Sequence, residues 1–293
     1  ATVDGSVLVT YSADSHTLYG ALTSSPAADW PKGSMRSIVE WDTNKPLGEI
    51  EQVEHTYAVM GNMNEHQLTV VESTWGGRPE LVDTTGIIDY GSLMKLALER
   101  AKTAREAIKV MTGLVKKYGY YSSGESFTIA DPNEAWILDL IGKGPGRRGA
   151  VWVAVRIPDD CIAGHANYPR IHKIPMDDKE NCLYSPDVIS FAREMGYFDG
   201  LNKDFSFARA YSPADFGALR ACDARVWSFF RKYDSTMDNY LPYVNGESAE
   251  PFPLYVKPSR KLSVQDMKEA MRDHFEDTPF DMTQDVGAGP FKV

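Results

Sequence analysis

Asp14 directly follows a run of β-forming residues, 6–11, and loops at strand ends are where binding and catalytic side chains collect. Asn62-Met63-Asn64-Glu65 precedes a second apolar run, 68–71, and Glu72-Ser73-Thr74-Trp75-Gly76-Gly77-Arg78 leaves it. Gly164-His165-Ala166-Asn167-Tyr168-Pro169-Arg170 follows a third. Arg225 lies on the border of an apolar helical stripe, near Phe229, at about 100° per residue. A guanidinium so placed either snorkels to water or takes a buried carboxylate partner, for which Asp14 is the candidate. Carboxylates, amides, hydroxyls and a guanidinium hold ligands by charge and hydrogen bonding.

Other chemistries find no support. The run Gly142-Lys143-Gly144-Pro145-Gly146-Arg147-Arg148-Gly149 lacks the P-loop order and joins two expected strands, where a P-loop must open a helix. There is no GxSxG elbow and no HExxH. His66, His165 and His172 read as structural or surface residues, so neither a metal nor a cofactor is expected. Asp159-Asp160 and Asp177-Asp178 read as solvated turn charge. Cys161, Cys182 and Cys222 form no CxxC, and an odd number cannot pair completely within the chain; they read as small apolar residues. A net charge of −10, with only the short basic pairs Lys116-Lys117 and Arg147-Arg148, argues against nucleic acid. No apolar run reaches the ~18 residues of a membrane helix, no signal peptide is seen at Ala1, and no membrane partner is expected.

The elements that must carry these residues read as strands, helices, strands, then helices. Strands are expected at 6–11, 36–41, 56–60 and 68–71, with 61–65 as a hairpin connection. Asp89 can cap a helix with Leu93, Leu96, Ala97 and Ala101 on one face. Thr103-Ala104-Arg105-Glu106 is a capping box for a second, with Ile108, Met111, Leu114 and Val115 as its stripe and Gly119 as its end. Residues 127–130, 135–141 and 150–157 form an antiparallel meander by their short connections. Helices open at Ser185-Pro186, at Ser212-Pro213 and at Ser263, and 245–253 is a surface loop. The class is α+β, with antiparallel sheet layers covered by helices.

The ordered set Asp4-Gly5-Ser6, Tyr11-Ser12-Ala13-Asp14, Met63-Asn64-Glu65, Glu72-Ser73-Thr74-Trp75-Gly76-Gly77, Ile87-Ile88-Asp89-Tyr90, Ala130-Asp131-Pro132-Asn133-Glu134-Ala135-Trp136 and His165-Ala166-Asn167 resembles the cysteine dipeptidases. These are N-terminal-nucleophile (Ntn) hydrolases, similar to bile-salt hydrolases and penicillin V acylases. The resemblance covers nearly the whole chain, 1–293 as a single domain, and implies a four-layer αββα sandwich with antiparallel sheets. It also implies a mechanism: the thiolate of an N-terminal cysteine attacks an amide carbonyl, its own α-amine relays the proton, and amide or backbone N–H groups stabilise the oxyanion.

Carried over position by position, the resemblance makes Asp14, Thr74, Asn167 and Arg225 the catalytic set, with Arg225 supporting Asp14 or the nucleophile. Tyr11, Glu72, Asn64 and His165 are expected to line the substrate. Tyr11 stands where many relatives carry arginine, and Thr74 near where bile-salt hydrolases place an oxyanion asparagine. The nucleophile is expected about eight residues before Ala1, beyond the strand that should precede the Asp4-Gly5 turn. The chain is expected to be incomplete at both ends, its run from Gly287 to Val293 being followed in relatives by a long continuation, and these 293 residues alone are expected to be inactive. A small peptide is the expected substrate, because an acid at Glu72 suits a free amine. The alternatives are an N-acyl amide substrate and a non-catalytic binding relative. A homo-oligomer is compatible with the sequence, and a periplasmic or secreted location is favoured over a cytoplasmic one.

Overall fold

The computed structural model describes residues 1–14 and 20–284. Ser15 and His16 of the first polar segment, and the run from Gly287, lie outside the described residues.

Eight strands form one antiparallel sheet: β1 (Ser24–Ser25), β2 (Val59–Met60), β3 (Met63–Asn64), β4 (Thr69–Trp75), β5 (Gly124–Ala130), β6 (Ala135–Gly142), β7 (Ala150–Ile157) and β8 (Cys182–Tyr184), adjacent in that order. The expected meander is its centre. The Gly142–Gly149 run is the hairpin loop joining β6 to β7.

Two helices cover one face. Asp89 caps α1 (Tyr90–Arg100) by accepting from Ser92 N, and Thr103 caps α2 (Ala104–Tyr118) by accepting from Glu106 N. Gly119, at φ 79°, ends α2. The buried stripe Ala104, Ala107, Ile108, Met111 and Val115 packs with Val70, Phe127, Ile129, Trp136, Leu138 and Leu140 of the sheet. The other face presents Trp75, Ile137, Ile141, Val151, Val153 and Val155. These are covered by Phe191 of α3 (Val188–Glu194) and by Phe207 and Tyr211 of α4 (Phe207–Tyr211). A third cluster surrounds Trp227 and Phe230 of α5 (Ala224–Arg231).

Several expectations change. Residues 6–11 form no strand. The segment is exposed or half-buried throughout, with no buried face to select a pairing, and Thr2 instead bridges Leu262 in parallel. Gly5 takes φ 82° while Asp4 Oδ1 accepts from Ser6 N at 3.0 Å, so the expected turn forms without a hairpin. Residues 56–60 divide between two short strands. The helix expected from Pro186 begins at Val188, and the one expected from Ser212 begins at Phe216 and passes through a π-helical turn, Ala218–Asp223. Beside the eight-stranded sheet, the described residues form only two-stranded sheets, so the second large sheet of a four-layer sandwich is not among them. The α+β class and the antiparallel central sheet are as expected.

Candidate active site

Alternation along β4 divides the polar residues between the two faces of the sheet. Thr74 is paired with Glu125 of β5, and Ser73 with Ser126. Opposed residues share a face, so Glu72, Thr74 and Glu125 point one way while Ser73 and Ser126 point the other.

On the first face, Thr74 Oγ1 donates to Glu125 Oε2 at 3.0 Å, and Tyr11 Oη donates to Glu72 Oε1 at 2.5 Å. Glu72 and Glu125 interact through their side chains. Glu125 is fully buried, and its carboxyl lies well above the usual carboxylate range, first because burial penalises the charge and then because Glu72 is beside it. Burial, then the contact with Glu72, also raises the Tyr11 phenol, and the charge of Asp14 acts on it in the same direction.

On the second face, the loop carrying His165 and Asn167 docks on Ser73. Asn167 sits at φ 53°, a left-handed conformation that Asn tolerates. Its backbone N–H donates to Ser73 Oγ at 3.2 Å, its Nδ2 to Thr74 O at 2.5 Å, and its Oδ1 accepts from Arg225 Nη2 at 2.8 Å. Arg225 also donates from Nε to Ala221 O at 2.8 Å and from Nη2 to Ala166 O at 3.3 Å. His165 lies beneath, with Nδ1 2.6 Å from Ser73 Oγ and Nε2 2.9 Å from Thr128 Oγ1. Burial, assisted by the Arg170 charge, lowers His165 to about 4, so it is neutral near pH 7. A neutral ring with its proton on Nε2 donates to Thr128 and accepts from Ser73, leaving Ser73 Oγ to accept from Asn167.

A buried ionic cluster anchors this loop. Arg170 Nη1 reaches Asp223 Oδ1 at 3.1 Å, Tyr243 donates to Asp223 Oδ2 at 2.8 Å, and the Arg170 guanidinium lies 4.0 Å from the Phe252 ring centroid. Asp139 on β6 accepts from Ile171 N at 2.8 Å and from Ser126 Oγ at 2.6 Å. Burial raises Asp139 to about 6, with these hydrogen bonds working against the shift.

The structure thus links Tyr11, Glu72, Thr74, Asn167 and Arg225 through Glu125 and backbone. Three expectations need correction. Arg225 pairs with Asn167, and among the described residues no hydrogen bond or ion pair joins it to Asp14, which is near enough to act on Tyr11 by charge. Asn64 is buried and consumed by backbone: Nδ2 donates to Leu98 O and Ala101 O, at 2.8 and 2.7 Å, while Oδ1 accepts from His66 N and Leu68 N. It ties off the end of α1 and has no hydrogen left for a substrate. His165 is half-buried, and both of its ring nitrogens are engaged, with Ser73 and Thr128, so it has none left for a substrate. The Thr74 hydroxyl is turned to Glu125, so its proton is committed there. Glu125, Ser73 and the Arg170–Asp223 pair were not singled out from sequence. A cavity of about 360 Å³ lined by Arg36, Val39, Trp41, Ser92 and Lys95 includes none of these residues.

This antiparallel sheet, with a guanidinium-held amide at one strand end and a carboxyl pair beside it, sits in a chain whose residues 1–291 match Peptidase family C69, and the chain belongs to that family. It is similar to a probable dipeptidase of Salmonella dublin, 29% identical over 73% of this chain and 48% of the relative. It is also similar to a dipeptidase of Bifidobacterium longum, 25% identical over 90% of this chain and 49% of the relative, and to a probable dipeptidase B of Lactococcus lactis, 24% identical over 96% and 60%. The chain spans about half the length of the curated relatives it matches.

Proposed function

We propose that the protein hydrolyses the peptide bond of dipeptides, using the thiolate of an N-terminal cysteine that precedes Ala1 in the full-length protein. The observation that carries this reading is the Arg225–Asn167 contact at the end of β4, on a strand that also carries the Glu72 carboxylate. The exposed part of the Glu72 carboxylate suits the α-ammonium of a short peptide. The second Nδ2 hydrogen of Asn167 is a donor for the oxyanion of a carbonyl under attack, and Arg225 fixes the amide so that Nδ2, not Oδ1, faces that charge.

An acyl amide with an apolar tail would leave the Glu72 carboxylate facing hydrocarbon, which disfavours that substrate class.

The thiols of Cys161 and Cys182 support the same reading, because burial pushes both up to about 11, far from a ready thiolate. In the proposed enzyme the cysteine attacks, its α-amine carries the proton to the leaving amine, and water releases the acyl group. The Ntn four-layer arrangement belongs to this proposal, with a second sheet contributed by chain outside the described residues. The test is alkylation of the full-length protein with iodoacetamide, followed by peptide mapping. Loss of activity should track labelling of an N-terminal cysteine; loss tracking Cys161, Cys182 or Cys222 would overturn the mechanism.

A further inference from the structure

The geometry points to Glu125 as a neutral carboxylic acid that donates its proton from Oε1 to Glu72, making Glu72 the single anionic ligand for a substrate ammonium. The second half of this statement rests on the dipeptidase reading; the first does not.

The argument begins with hydrogen accounting. Glu125 is fully buried on β5, and its Oε2 accepts from Thr74. Its Oε1 is buried and has no donor partner. A buried ionised oxygen without a donor is costly. The neighbour offered to it is the side chain of Glu72, itself an acceptor if ionised. Two acceptors in contact repel, whereas one proton between them converts the repulsion into a hydrogen bond. The proton belongs on the more buried partner, and the only site not already accepting from Thr74 is Oε1.

The surroundings agree. The groups acting on Glu125 are Glu72, Thr74 and Asp42. Tyr11 from the N-terminal segment, Tyr90 of α1 and Tyr120 after α2 lie near enough to feel a charge placed on Glu125. None of these, among the described residues, is a cation that would compensate a second negative charge. Burial and then the neighbouring Glu72 push the Glu125 carboxyl upward, in the direction the hydrogen accounting requires.

The consequence is a site of defined charge. Glu72 receives hydrogen bonds from Tyr11 and, in this arrangement, from Glu125, which orient it. One carboxylate then faces one ammonium. Glu125 touches no substrate; it is a positioning residue. A buried glutamine can reproduce its role, because the amide carries an acceptor for Thr74 and a donor for Glu72.

The experiment combines infrared difference spectroscopy with kinetics on the full-length protein. At pH 7 a carboxylic-acid C=O band should be present and should vanish in Glu125→Gln. With alanyl-alanine as probe, Glu125→Gln should keep KM within about twofold, while Glu72→Gln should raise KM roughly 10- to 100-fold, as expected for loss of a charged hydrogen bond. Absence of the band, or a Glu125→Gln variant whose KM rises as much as that of Glu72→Gln, overturns the inference. If no dipeptide is hydrolysed, the proposed function falls, and the band, which needs no substrate, still decides the state of Glu125.

Discussion

Arg225 Nη2 donates to Asn167 Oδ1 at 2.8 Å, and this one contact decides which end of the amide is free. An unrestrained amide can present oxygen or nitrogen. With Oδ1 taken by a guanidinium and one Nδ2 hydrogen on Thr74 O, the remaining hydrogen is the group left to donate. Arg225→Gln should therefore lower kcat roughly 10- to 100-fold with little change in KM, because the lost interaction matters most when charge develops on the carbonyl. Steady-state kinetics on alanyl-alanine checks it, with Arg225→Lys retaining part of the rate.

Asn167→Gly should cost more. It removes the donor but keeps the left-handed backbone at φ 53° accessible. Loss of an oxyanion donor is worth about 2.7–4 kcal/mol, or roughly 10²–10³ in kcat. The melting temperature should stay near that of the parent, which separates a chemical effect from a folding one.

The buried pair Arg170–Asp223 should be needed for stability. Asp223→Ala leaves Arg170 charged and unpaired in the interior, and should destabilise by about 3–5 kcal/mol. The double variant Arg170→Met/Asp223→Leu should recover much of that loss. Urea unfolding of the three proteins measures both values.

Acid should act through the histidines. His165 and His172 are lowered to about 4 and about 3 by burial, with Arg170 adding to it. Their unfolded values lie near 6.5. Below pH 6.5 the unfolded chain therefore binds protons that the folded chain refuses, and stability falls as pH drops toward those lower values. For His165 alone this amounts to about 3 kcal/mol by pH 4. Asp139, raised to about 6, acts in the opposite sense, since the folded state takes up its proton first. His165→Gln should thus flatten the decline between pH 6.5 and about 4, measured by urea unfolding at each pH.

Residues with local signals were legible in the sequence, and those fixed by distant pairing were not. Asp89 and Thr103 announced the starts of α1 and α2 because a cap needs only its own next three residues. The meander was legible because its connections are too short for anything but antiparallel neighbours. Glu125 was missed because its meaning comes from register: it is opposite Thr74, 51 residues away in sequence, and only that pairing brings it to Glu72. Asn64 was misassigned because a polar residue near a strand end has the same appearance whether it faces a ligand or ties off a helix. Arg225 was read as either snorkelling or pairing with a buried carboxylate such as Asp14, and its partner is the Asn167 amide, since helical phase locates a side chain on its helix and not across the fold. Residues 6–11 had the composition of a strand without a buried face to hold one.

The central claim is that a carboxylate reads the free amine while an amide steadies the carbonyl beside it. The most direct measurement is kcat/KM of the full-length protein on alanyl-alanine and on N-acetyl-alanyl-alanine. The account predicts hydrolysis of the free-amine dipeptide at least roughly tenfold more efficiently, because acetylation removes the charge that Glu72 binds. Equal or faster cleavage of the acetylated peptide would contradict it.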